Sequence, residues 1–341
     1  MKIALDAMGG DKAPGIPVEG AIEALELLRG DLEVILVGNE ELIQKLLDQK
    51  AYKNKRLSVV NASEVVDMAE SPTSALKKKR DSSISVGLRL QKEGDADAFV
   101  SAGNTGAVMA NSLLTLKRIK GIERPAIVTI FPSRTKPVVL LDAGANVDSK
   151  PHHLLQFALM GSIYAQQILR RENPRVGLLN IGEEEEKGND LTKASYQVLK
   201  NSPLNFIGNA EGRDILEGAA DVVVCDGFVG NVVLKFSESI ISLINSIIRT
   251  EIEKSVIRRI GAILMKGAYR NVHRTLDYAE YGGAPLLGIN GVSVICHGGS
   301  SAKAIRNAIN VAKMTVERQV NQTIRSQLPR LANESKIKLS K

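Results

Sequence analysis

Tryptophan is absent, and phenylalanine and tyrosine bring the aromatic share to only 4% of 341 residues. Nucleic-acid recognition by base stacking needs aromatic platforms, and no zinc-finger or RNP-type pattern offsets their scarcity, so nucleic acid is excluded as a partner. Cysteine is nearly absent too. Cys225 and Cys296 stand far apart without metal-type spacing, which excludes a disulfide framework and a zinc site. His152, His153, His273 and His297 are not at metal-ligand spacing either, and no required metal is expected. No apolar run is long enough to cross a bilayer. The opening "MKIALDAMGGDKAPG" breaks at Gly9-Gly10 without a secretory core, so a cytoplasmic location is expected. Neither the dinucleotide pattern G-x-G-x-x-G nor the Walker pattern occurs, so neither NAD nor a P-loop nucleotide is implied.

What is present is globular composition, 44% hydrophobic and 24% charged, with a net charge of +7. That excess favours acidic partners, whether protein, substrate or anionic lipid. Glycine-bounded apolar runs such as "KIALDAMGG", "EVILVGN", "VVLLDAGAN", "VGLLNIGEE" and "DVVVCDGFVGN" alternate with helical patterns. Short, nearly continuous apolar strands between helices predict an α/β protein, three layers deep, with a largely parallel sheet and helices on both faces. No Pro/Ser-rich linker divides the chain, so residues 1–341 read as a single domain.

The strand-to-helix turns carry the chemistry. Five pair Gly with Asn: Gly103-Asn104, Gly144 with Asn146, Gly188-Asn189, Gly208-Asn209 and Gly230-Asn231. Glycine permits close backbone approach, and asparagine offers a donor and an acceptor. Ligands of open parallel sheets bind beyond the carboxyl ends of the strands, where helix N-termini suit anions, so these turns are expected to converge on one anionic group. In "LLNIGEEEEKGND" four glutamates precede Lys187 at the mouth of such a turn. Glutamates there complement a helix dipole and Lys187 can be surface charge; the other reading makes Lys187 a site cation. The Gly-Gly-Ser-Ser turn of "HGGSSAKA" fits a phosphate loop or a plain helix cap equally well. Cys225, after "DVVV", reads as a small hydrophobe ending a buried strand.

The segments "ALDAMGGD", "SAGNTGA", "LLDAGANVD", "GLLNIGEEEEKGN", "VVCDGFVGN" and "YGGAPLLG", in this order, closely resemble the phosphate acyltransferase family, which makes acyl-phosphate from acyl-carrier protein for phospholipid synthesis. The resemblance spans essentially the whole chain. It implies a fold similar to isocitrate and isopropylmalate dehydrogenases and phosphotransacetylases, a homodimer, and no organic cofactor. It implies Lys187 and Asn231 as catalytic residues. Glu184, Gly188 and Asn189 complete the pattern around Lys187, and Asp226, Gly227 and Gly230 shape the turn of Asn231. Asp6, Gly9, Gly10, Asn104, Asp142 and Asn146 match the family's other sheet-top turns and are assigned to phosphate or substrate binding; the remaining glutamates are expected to be solvated. A phosphotransacetylase-like enzyme using acyl-CoA and a non-catalytic phosphate- or lipid-binding scaffold stay open as alternatives.

Residues 237–272 form a second informative segment. Ile240, Ile241, Ile244, Ile247 and Ile248 make one helical stripe, and Val256, Ile257, Ile260, Ile263 and Leu264 another, with Arg258, Arg259 and Lys266 alongside. Spacing alone predicts a helical hairpin packed on its own domain or on a dimer partner. The resemblance adds an interfacial reading: Ile257, Ile260, Ile263 and Leu264 enter an anionic membrane surface, where acyl-phosphate is delivered to a membrane-bound glycerol-3-phosphate acyltransferase. The protein is then peripheral to the inner face of the cell membrane. For docking acyl-carrier protein, "LKKKR" (Lys77, Lys78, Lys79, Arg80) and the Arg258-Arg259 pair are equal candidates.

Overall fold

The computed structural model describes residues 1–28, 30–276 and 280–339. The elements run β1 (Lys2–Asp6), α1 (Gly15–Leu27), β2 (Glu33–Gly38), α2 (Glu40–Gln49), β3 (Leu57–Asn61), α3 (Pro72–Lys78), α4 (Ser83–Glu93), β4 (Ala98–Ser101), α5 (Thr105–Leu116), β5 (Ala126–Ile127) and β6 (Thr129–Phe131). They continue β7 (Val138–Leu141), α6 (Pro151–Gln167), β8 (Val176–Leu179), α7 (Asp190–Lys200), β9 (Phe206–Ala210), α8 (Gly212–Glu217), β10 (Val222–Val224), α9 (Gly227–Glu253), α10 (Val256–Leu264), α11 (Lys266–Leu276), β11 (Ala284–Leu287), β12 (Ser293–Ile295), α12 (Ala302–Glu317) and α13 (Val320–Leu339).

The expected α/β architecture holds, but the strands are shared between two sheets. The larger has the order β3-β2-β1-β4-β12-β11-β5 and the smaller β6-β7-β10-β8-β9. Within the larger sheet β3, β2, β1, β4 and β12 are parallel, while β11 runs antiparallel to both its neighbours. In the smaller, β7, β10, β8 and β9 are parallel and β6 is the antiparallel edge. Val128 alone separates β5 from β6, so the chain steps straight from one sheet to the other. Helices cover the faces, and β4, β7, β8 and β10 are buried along their whole length. Burial on both faces is why these strands read as unbroken apolar runs.

Six helix starts follow the same local chemistry. Asn39, Ser82, Asn104, Asn189, Asp226 and Ser301 each accept a backbone N–H of their own first turn, the usual answer to the orphan donors of a helix N-terminus. The hairpin begins earlier than expected. Its first helix, α9, is continuous from the Asp226 cap to Glu253, and only Gly227 and Gly230 are buried in it. By length and composition α9 is apolar enough to cross a membrane, which corrects the reading that no segment qualifies. Ser237, Glu238 and Ser239 interrupt the apolar residues along the chain, so no continuous run shows in the sequence. Helix α10 has no buried residue at all.

Candidate active site

The turn after β7 is built around one carboxylate. Asp142 is fully buried, and its Oδ1 accepts the N–H groups of Ile127 (3.0 Å), Gly144 (3.3 Å) and Ala145 (3.0 Å). Oδ2 accepts Asn146 N–H (2.7 Å) and Asn146 Nδ2 (2.8 Å). Burial pushes this carboxyl above its ordinary range while the N–H donors pull it back. Because every partner donates, the turn is built around the ionised form. Asn146 Nδ2 also reaches the Pro125 carbonyl at 2.7 Å, so Asp142 and Asn146 stitch β7 to the strand crossing between the sheets. Ala143 packs in the same cluster as Ala75, Ile84 and Ala107 from the larger lobe. This turn is the seam between the two sheets.

The "DGFVGN" motif seats α9 on that seam. Asp226 Oδ1 caps the helix through Val229 N–H at 3.0 Å, and Gly227 N–H donates to the Asn146 carbonyl at 2.8 Å. A Cβ on Gly227 would lie 2.6 Å from both that carbonyl and Asp142 Oδ2, and one on Gly230 would collide with the Asp142 carbonyl. Only glycine allows so close an approach. One residue on, Asn231 is exposed to solvent, with its side chain over Gly144, whose φ is +130°.

Lys187 rises from the neighbouring β8–α7 loop. Val224 pairs with Leu178 on one side and Leu141 on the other, so the turns of β7, β10 and β8 leave one edge of the sheet side by side, strands about 4.8 Å apart. Asn180 closes the loop, accepting Ile181 N–H (2.9 Å) and donating to the Lys187 carbonyl (3.0 Å). Asn209 Nδ2 donates to the Glu184 carbonyl at 2.7 Å. Gly188, at φ +96°, leaves no room for a Cβ beside Thr192 and Asn180, and Asn189 caps α7 through Thr192 N–H. Glu183 is solvated as expected and Glu185 partly so, and each also carries a surface ion pair. Glu183 pairs with Arg213 at 3.2 Å, and Glu185 with Lys200 at 2.7 Å and Gln197 at 2.6 Å. They act as struts for a loop whose one cation, Lys187, is exposed and has no ion-pair partner among the described residues.

The small-sheet turns contact one another directly, and those of the larger sheet are held by partners of their own. Asp6, Gly9, Gly10 and Asn104 belong to the larger sheet and form no hydrogen bond to Lys187 or Asn231. Asp6 is buried and accepts Ser101 Oγ at 2.6 Å and Met8 N–H at 3.0 Å; Gly9 packs against Gly103, and Gly10 against the Gly298 carbonyl. Asn104 is engaged at both ends of its amide. Its Oδ1 caps α5, and its Nδ2 reaches the carbonyls of Asp67 (3.3 Å), Met68 and Glu70 (both 2.9 Å). That makes its side chain a clamp on the 67–70 loop. Ser301 caps α12 and His297 Nδ1 accepts Gly299 N–H, so "HGGSSAKA" is a capped turn. Cys225 is buried, its thiol pushed well up by burial.

Sequence spacing also missed a cluster. Glu123 lies beside His152 Nε2 (2.9 Å) and His153 Nε2 (3.4 Å), a convergence invisible along the chain because Glu123 comes from the loop before β5. His153 Nδ1 accepts Lys150 N–H at 3.1 Å, which leaves the ring proton on Nε2, aimed at Glu123. As arranged, the trio clamps that loop to the start of α6. The side chain of His273 lies outside the described residues.

A family model described as "Fatty acid synthesis protein" matches residues 1–323. Relatives named phosphate acyltransferase include one from Heliobacterium modesticaldum, 57% identical over 330 residues covering 96% of this chain and 98% of that one. Another, from Desulfitobacterium hafniense, is 56% identical over 331 residues, 97% of this chain and 98% of its own. The chain belongs to the phosphate acyltransferase family. Among solved structures it is similar to a phosphotransacetylase from Streptococcus pyogenes (TM-score 0.62, 20% identity, 93% of this chain and 94% of that one). It is also similar to a branched-chain phosphotransacylase from Enterococcus faecalis (TM-score 0.58, 14% identity, 93% and 99%). The acyltransferase fold is therefore the phosphotransacetylase fold.

Proposed function

We propose that this acyltransferase moves a long-chain fatty acyl group from acyl-carrier protein to inorganic phosphate, and that the acyl-phosphate goes on to acylate glycerol-3-phosphate in phospholipid synthesis. The observation that carries the reading is that exposed Lys187 and exposed Asn231 follow the neighbouring parallel strands β8 and β10, the loop of the first held by Gly188 and half-buried Asn180 and the turn of the second by Gly227, Gly230 and buried Asp142. A phosphate oxygen attacks the thioester carbonyl, the C–O bond forms, the C–S bond breaks, and the departing thiolate takes up the phosphate proton. Phosphate is already charged, so the reaction needs little from a base; it needs positioning and oxyanion stabilisation. Lys187 neutralises and orients phosphate, while Asn231 Nδ2 donates to the oxyanion of the tetrahedral intermediate. Asp142 and Asn146 hold the seam beneath Asn231.

The same reading includes a homodimer, peripheral attachment to an anionic membrane face through α10, and hand-over of product to a membrane-bound glycerol-3-phosphate acyltransferase. Incubation of the purified protein with phosphate and palmitoyl-acyl-carrier protein, followed by hydroxylamine trapping, tests the chemistry. Palmitoyl hydroxamate that depends on both phosphate and enzyme is expected. Its formation only from palmitoyl-CoA would transfer the reading to a phosphotransacetylase-like enzyme.

A further inference from the structure

Both backbone polar groups of Lys187 are held by carboxamides, one directly and one through a shared carbonyl. Its C=O accepts Asn180 Nδ2 at 3.0 Å, and its N–H closes a turn on the Glu184 carbonyl at 3.1 Å. That carbonyl also accepts Asn209 Nδ2 at 2.7 Å, so the turn from Glu184 to Lys187 is tied to a strand end 25 residues away. Asn209 pairs with Leu178 across parallel β9 and β8, and Asn180 stands two residues beyond Leu178. The two amides grip the loop from neighbouring strands. The lysine stem is seated too: a Cβ on Gly182 would lie 3.1 Å from Lys187 Cγ and 3.5 Å from Cδ, so the methylenes run across that glycine.

Asn209 has no local task that explains its presence. It caps no helix, since Glu211 and Asp214 form the capping box of α8. Its Oδ1 is buried with no hydrogen-bond partner among the described residues. An unpaired buried acceptor is costly, and a strand end that served the fold alone would be better closed by an apolar side chain. We infer that Asn209, with Asn180, is a positioning residue for Lys187: the two amides fix the turn from which the ammonium reaches phosphate. Asn209 acts through the lysine, so releasing the turn weakens the use of phosphate and leaves the thioester's own contacts in place. The inference rests on the assignment of Lys187 to phosphate in the acyl-transfer reading.

Asn209→Leu keeps the approximate shape of the side chain, removes the donor together with the unpaired acceptor, and leaves the Glu184 carbonyl its bond from Lys187 N–H. The full-length parent, Asn209→Leu, Lys187→Ala and the double variant are compared for melting temperature and for kcat/KM on inorganic phosphate at saturating palmitoyl-acyl-carrier protein. Misplacing a positioned group by about 1 Å can cost about a hundredfold in rate. Expected for Asn209→Leu is a parental melting temperature, kcat/KM for phosphate lower by about tenfold or more, and KM for the acyl donor within about twofold of the parent. Added to Lys187→Ala, the same change should cost less than about a further twofold, as for residues that act as one unit. Where turnover of Lys187→Ala is too slow to follow, the rise in melting temperature that phosphate produces reads the same cycle. Losses that multiply in the double variant, equal losses on both substrates, or a parental phosphate value overturn the inference. Asn209→Ser carries the same comparison should leucine prevent folding. A Lys187→Ala enzyme that uses phosphate as well as its parent would instead sink the assignment of Lys187 itself.

Discussion

The Asn231 side chain sits directly over Gly144, so that a Cβ on that glycine would lie 3.3 Å from Asn231 Cβ and 3.4 Å from its Oδ1. The turn of β7 thus sets the height of the amide that the turn of β10 presents. Asp142 links the two from beneath, through its own N–H network and its contacts with Gly227 and Gly230. On this geometry Asn231→Ala and Lys187→Ala should fold normally, since both side chains are exposed, yet lose turnover. Removing one oxyanion donor typically costs about 2.7–4 kcal/mol of barrier. Circular dichroism beside steady-state rates checks this; folded Asn231→Ala at near-parental rate would remove its assigned role.

Glycine positions give a prediction that needs no assay of activity. Gly230→Ala drives a methyl into the Asp142 carbonyl, where backbone must shift, whereas Gly261 in α10 has nothing within 4 Å of a new Cβ. Gly230→Ala should lower the melting temperature markedly or prevent folding. Gly261→Ala should raise stability by about 0.5–1 kcal/mol through the helix interior preference for alanine. A Gly230→Ala protein that melts like its parent would mean that α9 is not seated as described.

How far the sequence reveals this arrangement differs from residue to residue. The strands and the order of turns were readable because burial on both faces writes itself as apolar runs. Their division into two sheets was not, since Val128 between β5 and β6 looks like any strand residue. Asn231 and Asn104 carry the same Gly-Asn signature, yet one faces solvent and the other is held by three carbonyls of a loop more than thirty residues upstream. Such a distinction is tertiary, and spacing cannot encode it. The surface partners of the glutamate run, Arg213, Lys200 and Gln197, are hidden from the sequence for the same reason, being remote along the chain.

For the proposed docking of an acidic carrier, the two basic clusters differ in how their cations are engaged. Arg258 is paired with Glu251, Arg259 bonds the Glu253 carbonyl, and Lys79 is turned inward to Glu70 at 2.6 Å and the Val65 carbonyl at 2.7 Å. Lys77 and Lys78 at the end of α3, and Arg80 just beyond it, remain exposed, and Ala75 of that helix shares a cluster with Ala143 of the seam. Lys77→Glu with Lys78→Glu should raise KM for acyl-carrier protein and leave kcat with a small acyl thioester unchanged. The parental KM should also rise with salt, as attraction beyond a Debye length of about 8 Å is screened. Salt-independent KM would exclude electrostatic docking there.

His153 supplies a pH dependence with a definite sign. Its side chain is only 5% exposed. Burial, assisted by His152, holds its pKa below the ordinary 6.5, against the pull of Glu123 and with Arg124 adding to the depression. The folded state therefore disfavours the proton, and protonating Nδ1 breaks the bond from Lys150 N–H. The contribution is complete above pH 6.5 and is lost as pH falls below it, at no more than about 1.4 kcal/mol per pH unit for one proton. Melting temperatures should fall from pH 6.5 towards 5.5, and His153→Asn should flatten that part of the curve. An identical slope in the variant would assign the acid sensitivity elsewhere.

The exposed arm separates membrane contact from packing by a single double substitution. Ile260 and Leu264 lie one turn apart on α10, 54% and 82% exposed, so Ile260→Glu with Leu264→Glu adds charge where there is already water. If this face meets lipid, binding to anionic vesicles should collapse, because carboxylates both resist the acyl boundary and repel the anionic surface. Melting temperature, oligomeric state and rate in solution should stay at parental values. If the face is instead covered by a second copy, the same change buries two unpaired carboxylates at a cost of several kcal/mol, and the protein should dissociate or melt early. Vesicle co-sedimentation beside a thermal melt reads both outcomes from one sample. The expected result is a stable protein that no longer sediments, since α9 and α10 together present apolar stripes far larger than α10 buries against its own chain. A variant that still sediments with anionic vesicles, or one that is destabilised, would overturn the lipid assignment.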